Sequence, residues 1–230
     1  MRKNRFTAKK GISIILLMSV LILVIAIISI NFGKMNLSPY EVLMTIWGKG
    51  TNKQELIIYE FRLPRIILAI LVGVGMGASG TIMQSLLRND MASPGTLGIS
   101  SGSGLFVMMY IAIFSAEGVT SRFLLPSLSF VGGITAAILI FILSYRKGRE
   151  ISPTGLILTG VALSNGYSAL TLLLTLKLDD TQMEFAQRWS AGSLWGDDWR
   201  YLSILAPWTI ILFSYVFYKS RILNTLNLGN

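Results

Sequence analysis

The 230-residue sequence contains no cysteine and no histidine, and only 13% of its residues are charged. Without thiols there is no disulfide and no thiolate metal site. Without imidazole there is no histidine-ligated haem and no histidine acid–base catalysis. A soluble domain carries roughly 25% charge. What fills the space is apolar: 53% of residues are hydrophobic and the mean hydropathy is +0.63. Residues 12–32, 66–87, 91–116, 123–145, 151–176 and 201–218 form runs with no charge at all. About 20 such residues cross the hydrocarbon core of a lipid bilayer as a helix. Six spans are therefore expected, in an all-α polytopic membrane protein.

The net charge of +9 does not point to nucleic acid, because the basic residues cluster in short segments flanking the runs: "MRKNRFTAKK", "RKGRE" and "KSR". Such clusters mark cytoplasmic segments. With the N-terminus inside, nine of the eleven acidic residues fall in the outer loops. Both ends of the six-span bundle are then cytoplasmic. The first run is long for a signal peptide and no small-residue cleavage site follows it, so a retained span is expected.

No run contains an ionisable residue. Ionisable groups within the membrane mark proton relays and ion sites, so a proton-coupled carrier and an intramembrane hydrolase are disfavoured. A sodium-coupled carrier using backbone carbonyls from broken helices stays open. In the second run Ala69, Gly73, Gly77, Gly80 and Gln84 share one helical face, which lets neighbouring helices approach closely. Gly75, Gly77 and Gly80 also match G-x-G-x-x-G. That match is false in context, since a dinucleotide fingerprint needs a strand-to-helix turn.

The fifth run carries a small stripe (Gly155, Thr159, Ala162, Gly166, Ala169) and a hydroxyl stripe (Ser164, Ser168, Thr171, Thr175) with Asn165 beside it. Two readings stand: a wall facing water or a polar solute, or hydroxyls bonded to their own helix. Two shorter amphipathic helices are expected on the outer surface. One follows "NLSPYEV", where Ser38 caps, Pro39 opens the helix and Glu41 lies in its first turn. The other carries Met183, Ala186 and Trp189 on one face, with Trp195, Trp199 and Tyr201 nearby at headgroup level.

From the end of the second run into the first half of the third lies "RNDMASPGTLGISSGSG", rich in glycine and serine. Together with the preceding "FRLPRIILAILVGVGMGASGTIMQSLL", and with "LILTGVALSNGYSAL" and "RWSAGSLWGDDW", it resembles the FecCD family of ABC-importer permeases. These three blocks stand in the family's order over some 140 residues. The resemblance implies inward carriage of an iron–siderophore complex, haem or cobalamin along a pathway at the interface of two permease subunits. It places Asn89, Asp90 and Met91 at a cytoplasmic gate, and Arg62 and Arg65 where a binding protein docks. Gln84, Ser164, Asn165, Ser168, Thr171 and Thr175 become candidates for lining the pathway. Asp90 stands where the family usually has proline, and Ser103 where it usually has alanine.

The implied fold has about ten spans. Residues 1–230 are expected to be a single permease domain covering about two-thirds of it and stopping at its C-terminal side before the usual ATPase-docking segment. The expected protein is a permease subunit in the bacterial cytoplasmic membrane and not itself an enzyme. It lacks the G-x-x-x-x-G-K-[ST] loop, so a separate ABC ATPase would hydrolyse ATP. The other expected partners are an extracytoplasmic solute-binding protein, a second permease subunit and the iron chelate. No cofactor and no bound metal of its own is expected. A sodium-coupled carrier, or a non-transporting truncated membrane protein, is the alternative.

Overall fold

The computed structural model describes residues 2–31, 36–114, 123–145, 147–148, 152–192, 194 and 199–220. Among them there is no strand. The helices are α1 (Arg2–Asn31), α2 (Pro39–Ile46), α3 (Asn52–Glu55), α4 (Leu63–Leu87), α5 (Ile99–Ile113), α6 (Leu124–Ser144), α7 (Pro153–Thr175), α8 (Asp180–Ala191) and α9 (Trp199–Tyr218). A π-helical segment, Leu56–Arg62, joins α3 to α4. Helix therefore runs without a break from Asn52 to Leu87. Among the described residues, five helical stretches are long and apolar enough to cross a membrane.

The third uncharged run is the exception to the six expected spans. Its helix, α5, has 15 residues, or about 22 Å at 1.5 Å per residue, short of the roughly 30 Å hydrocarbon core. Residues 91–98 are turns instead. Pro94 disfavours helix at the residue before it, and Gly98 adopts φ +80°, a left-handed conformation that glycine takes without strain. The run is uncharged throughout, yet its first eight residues are not helix.

The surface helices form as their caps dictate. Ser38 accepts the Glu41 amide while the Glu41 carboxylate accepts the Ser38 N–H at 2.7 Å, and Pro39 occupies the first turn of α2. Asp179 and Gln182 make the same reciprocal box at the head of α8. Each box satisfies amides that a helix start leaves without partners.

The chain divides into two compact units, Met1–Gly73 with Leu194–Ile210, and Val74–Ser193 with Ile211–Asn230. The first has a small core of Leu37, Val42 and Ile58, flanked by Ile30 and Ile57. In the second, α5 is central. Val107, Met108 and Ile111 pack with Ala186 of α8, joined by Phe185 and Trp189; of the expected face, Ala186 and Trp189 pack here, and Phe185 takes part where Met183 was expected. Leu105 packs with Ala136 and Tyr167.

Glycine sets the spacing in this second unit. A Cβ on Gly102 of α5 would lie 2.5 Å from the Ala136 Cβ and 2.9 Å from the Gly132 carbonyl oxygen of α6. On Gly160 of α7 it would lie 2.8 Å from the Leu97 carbonyl oxygen. The glycine- and serine-rich start of α5 thus meets its neighbours backbone to backbone. The α4 stripe behaves differently: among the described residues, no atom outside its own helix backbone lies within 4 Å of a Cβ placed on Gly73, Gly77 or Gly80.

Candidate functional site

The turn after α4 is stitched together by side chains. Arg88 ends the helix with φ +47°, the left-handed conformation that closes many helices but that residues with a Cβ adopt at a cost. The Asn89 amide donates to the Gln84 carbonyl oxygen at 3.2 Å, and the Met91 amide donates to Asn89 Oδ1 at 2.9 Å. Gln84 Nε2 then reaches forward to the Asp90 carbonyl oxygen at 2.8 Å. Leu87, Ala92 and Leu97, all buried, anchor both ends of the turn against Met83, Leu156 and Ile157. At the tip, Met91 is 84% exposed.

Asn89, Asp90 and Met91 therefore lie together, and Gln84 joins them. An open cleft of about 440 Å³ beside them is lined by Thr81, Gln84, Ser85, Arg88 and Asp90. Asp90 is exposed, so its carboxylate is not stranded in an apolar interior.

The hydroxyl stripe of α7 divides. Ser164 shares a hydrogen bond of 2.8 Å with Ser101 of α5. Thr175 donates to the Leu172 carbonyl oxygen at 2.6 Å, within its own helix. Asn165 and Ser168 are exposed, and Thr171 is half-buried. One of the four hydroxyls is a bridge between helices and one is spent on its own backbone.

Arg62 and Arg65 lie at the π-to-α junction, in the first compact unit. Arg62 Nη1 donates to the Ile30 carbonyl oxygen at the end of α1. Arg65 Nε donates to the Leu194 carbonyl oxygen at 3.0 Å. Both are only partly exposed. Pro64 between them is almost fully buried and lies inside the continuous helix. It does not begin a helix at the membrane surface.

Three residues escape a reading of the sequence alone. Ser101 gave no signal of its own, because its partner is 63 positions away. Trp199 looks like an interface aromatic, yet its indole N–H donates to the Tyr59 carbonyl oxygen at 2.8 Å. Gln182 is buried and donates through Nε2 to the Ile111 carbonyl oxygen at 3.0 Å, pinning α8 to the end of α5. Trp195, the "GDD" beside it, most of "RKGRE" and the C-terminal residues 221–230 lie outside the described residues. Among the described residues, no group of three or more acidic side chains is placed to hold a metal ion.

The chain is 41% identical over 214 residues to the iron(3+)-hydroxamate import system permease FhuG of Bacillus subtilis (strain 168), covering 91% of this chain and 63% of that protein. It is 35% identical to the hemin transport system permease HmuU of Yersinia pestis, covering 92% and 62%. Its fold matches a solved structure described as an inward-facing conformation of a metal-chelate type ABC transporter, with a TM-score of 0.77 and 28% identity, over 94% of this chain and 65% of that one. The chain thus spans somewhat less than two-thirds of these relatives. A family profile for the FecCD transport family matches residues 21–230. With its apolar helices, its glycine-packed α5 and the ordered blocks that surround it, this multi-pass membrane chain belongs to the FecCD transport family.

Proposed function

We propose that the chain is a permease subunit of an ABC importer that carries an iron–siderophore complex or a related metal chelate into a bacterial cell. The observation that carries this reading is the likeness, over nearly the whole chain, to permeases named for iron-hydroxamate and hemin import. A fold shared with a metal-chelate type ABC transporter supports it. Because these relatives differ in their chelates, the likeness identifies a substrate class and not one compound.

In this reading residues 1–230 act as a single permease domain in the cytoplasmic membrane, with the N-terminus inside. ATP is hydrolysed by a separate ATPase, a solute-binding protein delivers the chelate, and a second permease subunit completes the pathway. Asn89, Asp90 and Met91 act at the inner gate. Gln84, Ser164, Asn165, Ser168, Thr171 and Thr175 contribute to the path, and Arg62 and Arg65 receive the binding protein. Arginine suits that last role because its fork meets carboxylates directionally.

The test is transport in proteoliposomes containing the permease, its ATPase and a binding protein loaded with radiolabelled ferric hydroxamate. Uptake should require ATP and the ATPase. Uptake driven by a sodium gradient without ATP would replace this reading with a sodium-coupled carrier.

A further inference from the structure

The π-helical segment Leu56–Arg62 has a local cause. In a helix interior the proline ring clashes with the carbonyl four residues earlier, which for Pro64 is that of Glu60. A π register pairs each carbonyl with the amide five residues on and relieves that crowding. The ladder is seen directly where the Leu63 amide donates to the Ile58 carbonyl oxygen. The next rung pairs the Tyr59 carbonyl with the amide of residue 64. Residue 64 is proline and has no N–H to give.

The vacant rung is filled from elsewhere in the chain. Trp199, the first residue of α9, places its indole Nε1 2.8 Å from the Tyr59 carbonyl oxygen. Tryptophan suits the task, since its indole is a donor only and cannot leave an acceptor unmet. The contact is exposed, so the indole acts as a donor held in place where the helix itself supplies none, and it favours the register that keeps this carbonyl paired. Beyond that rung come Arg62, bonded to the Ile30 carbonyl oxygen, and Arg65, bonded to that of Leu194. Because a π turn advances the side chains differently from an α turn, the register decides where Arg62 points relative to Arg65.

We propose that Trp199 is a positioning residue: its indole supplies the hydrogen-bond donor that Pro64 withholds from Tyr59, and so holds the π register that presents Arg62 and Arg65 to the docking partner. The functional half of this statement rests on the docking role given above to the two arginines. The structural half does not.

The experiment is a double-mutant cycle in the intact importer, with Trp199→Phe, Pro64→Ala and the pair. Phenylalanine keeps an aromatic ring and removes the donor, while alanine restores a backbone N–H at position 64. Trp199→Phe alone should lower the thermal midpoint by a few degrees and weaken binding-protein affinity on the order of threefold to tenfold, the scale of one hydrogen bond. In the Pro64→Ala background the same substitution should change the midpoint little, because Tyr59 then has a partner from its own helix. Equal loss of midpoint in both backgrounds would overturn the donor exchange.

Affinity is read against Arg62→Glu with Arg65→Glu as a control. If that control weakens docking and Trp199→Phe does not, the positioning role is overturned while the docking role stands. If the control itself leaves affinity unchanged, the docking role fails. The cycle in thermal midpoint then decides the donor exchange alone.

Discussion

Gln84 and Asp90 are joined by a side-chain amide that donates to a main-chain carbonyl at 2.8 Å, from the last turns of α4 to the turn beyond it. The contact ties a rigid element to one that must part if it acts as a gate. Replacing Gln84 by Leu removes the donor and leaves the carbonyl to solvent. A hydrogen bond of this kind contributes about 0.5–1.5 kcal/mol. Amide exchange at residues 89–92 should accelerate on the order of threefold to tenfold, with α6 unaffected. Unchanged exchange would show that Asn89 and the buried Leu87–Ala92–Leu97 cluster hold the turn without help.

Two glycines predict opposite outcomes for the same substitution. Gly102→Ala drives a methyl group to 2.5 Å from the Ala136 Cβ, so α5 and α6 must separate. Overpacking of this kind costs about 1–3 kcal/mol. Gly77→Ala meets no atom within 4 Å and removes glycine's entropic cost in a helix, about 0.5–1 kcal/mol. In the purified chain the thermal midpoint should fall for the first and hold or rise for the second. The reverse order would mean that α4, not α5, is the tightly packed helix.

Acid should loosen the α8 cap. The Asp179 carboxyl is held below its ordinary pKa, first by its hydrogen bond with Thr181 and then by the Gln182 amide. A lowered folded-state pKa means that the added stability is present above the unfolded value and is lost as pH falls through the folded one. Glu41 at the head of α2 follows the same sign, with the Ser38 amide as the main cause. Asp179→Asn keeps a capping oxygen and cannot titrate. Hydrogen exchange in α8 should rise on acidification in the parent chain and stay flatter in this variant. An equal pH response in both would place the acid sensitivity elsewhere.

Orientation is testable because the chain has no cysteine of its own. Single cysteines at Asn52 and Thr181 should react with an impermeant maleimide in intact cells. Cysteines at Asn4 and Gly148 should react only after permeabilisation. Labelling of Gly148 from outside would invert the charge-based topology.

Much of the helix content was legible because span length and lack of charge are direct consequences of the bilayer. The caps at Ser38 and Asp179 follow from rules that act within four residues. The segment 52–62 was not legible as part of the second helix, since Lys53, Glu55, Glu60 and Arg62 break the uncharged run. The loss of helix at 91–98 was legible only through the family resemblance, which marks a turn from Arg88 and a helix entry at Leu97–Gly98; the uncharged run by itself conceals turns that are satisfied internally. The site divides along the same line. Asn89, Asp90 and Met91 are neighbours in sequence and stay so in space, whereas Ser101 and Ser164, or Tyr59 and Trp199, meet only once the helices have docked.

The turn leading into α5 closes on itself to an unusual degree. The Ser93 amide donates to Thr96 Oγ1 at 2.8 Å, the Thr96 amide donates to Ser93 Oγ at 3.1 Å, and the Leu97, Gly98 and Ile99 amides find carbonyls at Ser93, Gly95 and Pro94. The consequence is one of solvation. Backbone amides left without acceptors beside apolar surroundings are costly. With its amides met by its own hydroxyls and carbonyls, this non-helical stretch can lead into an apolar helix without calling on a neighbouring element to satisfy it.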